Sequence, residues 1–187
     1  MSNRINKLLS AYKDFLSVPK QEGLAAIQRV IFAVYDKTDE LRLRNVIDEF
    51  SLVTKEAGEK WLLIDITNAF PKWMVEQEYK DAYFECPDDM AGYQTGELVE
   101  FTSSLIDDLK DQITKNSDSG TVIAILGVGS LFGLARASTV VEGIKDAVSG
   151  RLLVFFPGEH HPENHTYRLL DARDGWNYLA IPLLAKE

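Results

Sequence analysis

At 187 residues, 45% hydrophobic and 26% charged, the chain has the composition of one ordinary globular domain, long enough to bury a core. Its apolar runs stop short of the roughly 18–20 residues that a membrane helix needs, and Met1–Lys20 is amphipathic with no signal-peptide core, so a soluble, cytoplasmic protein is expected. A single cysteine, Cys86, excludes an internal disulfide and a cysteine zinc cage, while a net charge of −9 argues against independent nucleic-acid binding, which basic groups drive by releasing counterions.

Ile5, Leu8, Leu9, Tyr12, Phe15 and Leu16 recur at helical spacing, predicting an N-terminal amphipathic helix that ends near Pro19. Val30–Tyr35 is a β-branched and aromatic run suited to a buried strand, after which Asp36, Thr38 or Asp39 can cap a helix. That helix is expected to turn Leu41, Val46, Ile47, Phe50, Leu52 and Val53 toward the core, with Gly58 as its terminator. Trp61–Ile66 then reads as the second strand of a parallel pair.

Residues 67–119 contain no convincing strand and read as a helical insertion, with one helix over Trp73–Phe84, broken near Pro87, and another over Glu97–Lys115. Cys86, beside Pro87, is expected to pack as a small hydrophobe. Val122–Leu126 and Leu152–Phe156 are short apolar runs, and Val140, Val141, Ile144 and Val148 between them fall close to helical spacing. This is a second strand–helix–strand unit, with Pro157-Gly158 bounding its last strand. Tyr167–Leu170 and Tyr178–Leu183 are brief strands whose spacing suggests a terminal hairpin. Residues 1–187 therefore read as one α/β domain: a sandwich with a mostly parallel sheet, an N-terminal helix, a helical insertion and a C-terminal hairpin.

Gly127, Gly129 and Gly133 follow a strand, where α/β sheets hold phosphate on backbone N–H groups, and Ser130 lies within the turn. The spacing GxGxxxG puts Phe132 in place of the third glycine of the dinucleotide fingerprint, and no GxxxxGK[ST] follows, so tight turning and close packing are the preferred reading. Arg136, soon after the turn, is the polar residue best suited to grip a phosphate or carboxylate, with a structural ion pair as its alternative, and the surface from Gly127, Gly129 and Ser130 to Arg136 is equally a candidate partner contact. Asp36 and Asp65 end two parallel strands and raise the question of a paired carboxylate site, although both also suit capping. His160, His161 and His165 fall beside Glu159 and Glu163. Without HExxH spacing they read as an exposed loop, with metal binding only as the weaker alternative. No nucleophile, base and orienting partner stand together in the sequence, so no enzyme activity and no cofactor are expected.

Acid is concentrated in the middle of the chain. Residues 76–118 carry twelve acidic and three basic side chains, against five acidic and eight basic in residues 1–44. A solvated helical face is the plain reading, and a docking surface for a basic partner, through Glu97, Glu100, Asp107 and Asp108, is the sharper one.

ILGVGSLFGLAR, LLVFFPGE and NYLAIPLL, together with VYDKTDELRLR and WLLIDIT in the N-terminal half, resemble the BrxB family of BREX bacteriophage-exclusion systems. The strongest shared motif is Gly127–Leu131 with Arg136 five residues on, joined to Phe155–Gly158. Gly133 stands where many members have proline, and the histidines fall outside the pattern. The resemblance implies an accessory component of a phage-defence system that acts beside a PglZ phosphatase-like protein, a large ATPase and a DNA methyltransferase. It carries no catalytic residue over to this chain. The expectation is an adaptor that docks the PglZ-like protein or another BREX component, with a degenerate nucleotide- or phosphate-binding domain at Gly127–Arg136 as the alternative.

Overall fold

The computed structural model describes residues 4–18, 23–86, 98–171, 176–177 and 179–185. Helix α1 spans Arg4–Ser17 and buries Ile5, Leu8, Tyr12 and Leu16, one side of the amphipathic pattern, while Pro19 lies outside the described residues. Strand β1, Val30–Tyr35, is buried along its whole length, as expected of a strand covered on both faces.

The next helix is broken. Asp36 accepts a hydrogen bond from the Thr38 amide at 2.9 Å and caps a 3₁₀ turn over Lys37–Asp39. Helix α2, Glu40–Asn45, follows, and after a turn at Val46 comes α3, Ile47–Glu56. This break changes the helical phase, so Leu41 and Leu52, expected in the core, are 77% and 57% exposed. Phe50 is buried as expected, and Leu43 and Thr54 are buried in place of the two leucines. Thr54 is tolerated there because its hydroxyl reaches the Phe50 carbonyl at 2.8 Å and pairs with the Tyr12 hydroxyl of α1 at 2.7 Å. Asp39, also buried, does not cap α2. It lies 2.6 Å from Arg42 Nη1, and its other oxygen faces Arg4 Nε at 2.8 Å in an ion-pair contact rather than a hydrogen bond.

Strand β2 is Lys60–Asp65. In place of one helix over Trp73–Phe84 there are two short ones, α4 (Ala69–Val75) and α5 (Lys80–Glu85). Cys86 is exposed at the end of α5, so it does not pack in the core; Pro87 and Glu97 lie outside the described residues. Helix α6, Val99–Asn116, buries Phe101, Leu105, Leu109 and Ile113 and serves as the crossover between β2 and β3 (Thr121–Leu126). Helix α7, Ala137–Ile144, then connects β3 to β4 (Arg151–His161), and Val140, Val141, Ile144 and Val148 are all buried.

The parallel strands run in the order β2-β3-β4-β1-β7, where β7 is Ile181–Leu183. The strands β1 and β2 are parallel but not adjacent, because β3 and β4 lie between them. The chain leaves β1 with α2 and α3 on one face and returns through α6 and α7 on the other, as right-handed crossovers require when the direction of travel reverses. On the first face Ile31, Tyr35 and Phe155 pack with Tyr12, Leu43 and Phe50; on the second Phe32, Ile123 and Phe156 pack with Leu105, Leu109 and Val141. The result is the expected sandwich.

Pro157-Gly158 does not end β4. The strand continues to His161 and pairs antiparallel with β5 (Thr166–Leu169), which pairs in turn with β6 (Trp176–Asn177). Gly158 permits this because a Cβ there would stand 1.9 Å from the Arg168 carbonyl oxygen. The antiparallel hairpin thus joins β5 to β6, whereas residues 181–183 leave it and pair parallel with β1. Buried Tyr167 ties the two parts together by donating to the Ala180 carbonyl at 2.9 Å, and burial pushes its phenol up to about 12.

Candidate functional site

The reversal of chain direction opens a crevice at the carboxyl ends of the strands, the place where open α/β sheets hold ligands. A cleft of about 350 Å³ lies there, lined by Lys37, Glu40 and Arg44 from the segment after β1, Thr67 after β2, Gly127, Gly129 and Ser130 after β3, Pro157 of β4, and Leu170.

Gly127 adopts φ +90°, and a Cβ on it would lie 2.4 Å from Thr67 Oγ1 and 2.9 Å from Asp65 Oδ1. Glycine is needed here so that the β3 turn can press against the Asp65–Thr67 turn. Gly129 packs against Pro157, with a Cβ position 3.3 Å from its ring. Ser130 directs its hydroxyl to the Gly127 carbonyl at 2.8 Å, with the Ile66 carbonyl at 3.3 Å. The glycine turn leads into a four-residue 3₁₀ helix, and α7 begins only at Ala137, so no long helix dipole faces the turn.

The guanidinium in this crevice belongs to Arg44. Each of its three nitrogens donates a hydrogen bond, to Glu40 at 2.7 Å, Asp65 at 3.2 Å and Thr67 Oγ1 at 2.7 Å. Burial works against its charge, but the Glu40 and Asp65 carboxylates outweigh that and hold Arg44 above its ordinary value. Burial likewise works against the Asp65 carboxylate, yet the Thr67 hydroxyl and amide and Arg44 hold it below the ordinary value. Tyr35 donates to the other Glu40 oxygen at 2.5 Å, and its phenol is pushed up by burial and by that bond. Lys37 is paired with Asp171. Both cations of the cleft are thus already engaged, and a phosphate would have to displace carboxylates to reach them.

Arg136 is not among the residues lining the cleft. It occupies the N-cap position of α7, is exposed, and makes no side-chain hydrogen bond or ion pair among the described residues. Asp36 and Asp65 do not form a carboxylate pair: they end strands three places apart in the sheet, about 14 Å at the usual strand spacing. Each instead receives the amide and hydroxyl of the threonine two residues on. Arg44 lies in VYDKTDELRLR, which follows a buried strand just as the glycine turn does, but two of its three partners, Asp65 and Thr67, come from the end of β2 and the turn after it.

His160 and His161 stand on β4 rather than in a loop, and the turn occupies 162–165. His161 lies 3.4 Å from both Glu159 and Glu163. His160 packs at 4.7 Å on the Tyr167 ring and is pushed below its ordinary value, by burial first and then by His165 and His161. Among the described residues no three His, Cys, Asp or Glu side chains are placed to hold a metal ion.

Glu100, Asp107 and Asp108 all project from the exposed face of α6. Glu100 and Asp107 make no ion pair among the described residues, and Asp108 accepts from Gln112 at 2.9 Å. Asp108 also borders a groove of about 300 Å³ between α4 and α6, where Trp73, Phe101 and Leu105 form an apolar floor and Lys72 and Glu76 share the rim.

Fold and site together define an open parallel α/β domain whose crevice cations are engaged in ion pairs and whose outer helix is acidic. The chain belongs to the BrxB family: the model of BREX protein BrxB matches residues 62–182, which include the glycine turn, the acidic helix and the β4–β5 unit. Membership implies a component of a BREX phage-defence system. Comparison with curated proteins and with solved structures gives no match. No helix among the described residues is long and apolar enough to cross a membrane.

Proposed function

We propose that this chain is a non-catalytic adaptor that docks the PglZ-like protein or another component of its BREX system through α6 and the adjoining α4–α6 groove. The observation that carries the reading is the exposed acid of Glu100, Asp107 and Asp108 on α6, the first two without an ion pair among the described residues, beside an aromatic floor, which suits a partner segment presenting an apolar anchor with basic flanks. In the crevice, by contrast, opposite charges are already matched, so Arg44 and Lys37 act as fasteners between segments. No nucleophile and base stand together among the residues lining it, which supports a role without chemistry of its own.

Co-purification of the full chain with each BREX component tests the proposal. Reversing Glu100, Asp107 and Asp108 to lysine is expected to release the docked partner while leaving the chain folded, since all three side chains are exposed. Association unchanged by the triple reversal would overturn it.

A further inference from the structure

We infer that the outer edge of β2 is self-complementary and that two copies of this chain pair through it, antiparallel, to form one continuous sheet. The proposal rests on main-chain geometry and is independent of the adaptor reading. Lys60 N donates to the Gly120 carbonyl at 2.8 Å and Ile66 N to the Leu126 carbonyl at 2.9 Å, so the even-numbered residues of β2 turn their amides and carbonyls toward β3. In a parallel ladder the alternate residues face the other way. The N–H and C=O groups of Trp61, Leu63 and Asp65 therefore point off the sheet, and no described strand pairs with them.

The two ends of the sheet are treated differently. At one end β7 is only three residues long and contains Pro182, both features that blunt an edge against pairing. At the other, β2 has six residues, KWLLID, with no proline, glycine or bulge, and Leu63 at its centre is 37% exposed. An apolar edge that no described strand covers is a template for another strand.

The sequence of the edge favours a second copy as the occupant. With a two-fold axis at Leu63, the two Leu63 residues exchange main-chain hydrogen bonds, and Trp61 of each copy does so with Asp65 of the other, so all three outward N–H groups and all three carbonyls find partners. Leu62 then lies beside Ile64 of the second copy, and no like charges oppose one another. A shift of two residues one way sets Glu59 against Asp65, and the other way carries Trp61 past the end of the strand to Thr67. The Asp65 carboxylate stays held by Thr67 and Arg44 and is not required in the pairing.

Light scattering on the full chain across the micromolar range is expected to give twice the 21.0 kDa chain mass. Leu63→Pro removes an outward N–H without touching the β2–β3 ladder, and Leu63→Lys puts two cations on the axis; each is expected to halve the mass with unchanged circular dichroism. Leu63→Lys decides the matter should the proline variant fail to fold. A mass of 21.0 kDa at every concentration, or a doubled mass that the lysine variant retains, overturns the proposal. So does a monomer whose Trp61 and Leu63 amides resist hydrogen exchange, since the chain itself would then cover the edge.

Discussion

Gly127 is required by its backbone: at φ +90° with the Asp65–Thr67 turn pressed against it, there is no room for a Cβ. A glycine turn after a strand suggests a phosphate site, but this turn is filled by the Asp65–Thr67 segment. Gly127→Ala combines a Cβ clash with a strained φ and should destabilise the fold by about 2–3 kcal/mol in denaturant unfolding. Ser130→Ala, which loses a partly buried hydrogen bond, should cost about 1 kcal/mol. Asp65 gives a pH signature. Its folded-state value lies below the ordinary 3.8, so its contribution is fully present above that pH and is lost as pH falls through the lower folded value. Between pH 5 and pH 2, roughly the window set by a depressed carboxyl, Asp65→Asn should lose less stability than the parent chain in pH-dependent unfolding. An acid limb of the same steepness would show that the Arg44–Asp65–Thr67 contacts contribute little. Arg44 is one of several basic residues after β1 and is distinguished from them only where α2 meets the end of β2 and the turn after it.

At the scale of elements, most strands and helices were legible from hydrophobic periodicity, since β1, β3, α1 and α7 each carry a strong local pattern. The failures have local causes. Continuing one helical phase from Leu41 to Val53 ignored the turn at Val46, which resets the face that α3 buries. Phe50→Ala should therefore cost about 3–5 kcal/mol and Leu52→Ala less than about 0.5 kcal/mol in equilibrium unfolding; comparable losses would restore the single-helix pattern. Pro157-Gly158 looked like the end of a strand because both residues usually interrupt one. Here Gly158 is what lets β5 approach, and Gly158→Ala should speed amide exchange over 166–169 while sparing β1.

At the scale of the molecule, a net charge of −9 with acid gathered along α6 gives the chain a directional field. If α6 is the docking face, raising salt from 50 to 500 mM, which shortens the screening length from about 14 Å to about 4 Å, should weaken partner association in a pull-down. The triple reversal variant should show little remaining salt dependence. Nucleotides at millimolar concentration should leave the melting temperature unchanged, because a ligand bound to the native state alone must raise it. A clear upward shift would return the crevice to consideration as a binding site.

The order and type of most elements, the two strand–helix–strand units, the acidity of α6 and the family are all legible in the chain read linearly, because periodicity, charge and motifs are carried by residues near one another. Which strands are neighbours and which groups share the crevice emerge only when distant segments pack. Placing β4 between β3 and β1 brings Arg44 to Asp65 and Thr67 and leaves Arg136 outside the cleft, while it exposes the edge of β2 and pairs Ile181–Leu183 with β1. Those relations follow from crossover handedness and from how the faces of distant segments fit, and no local spacing encodes either.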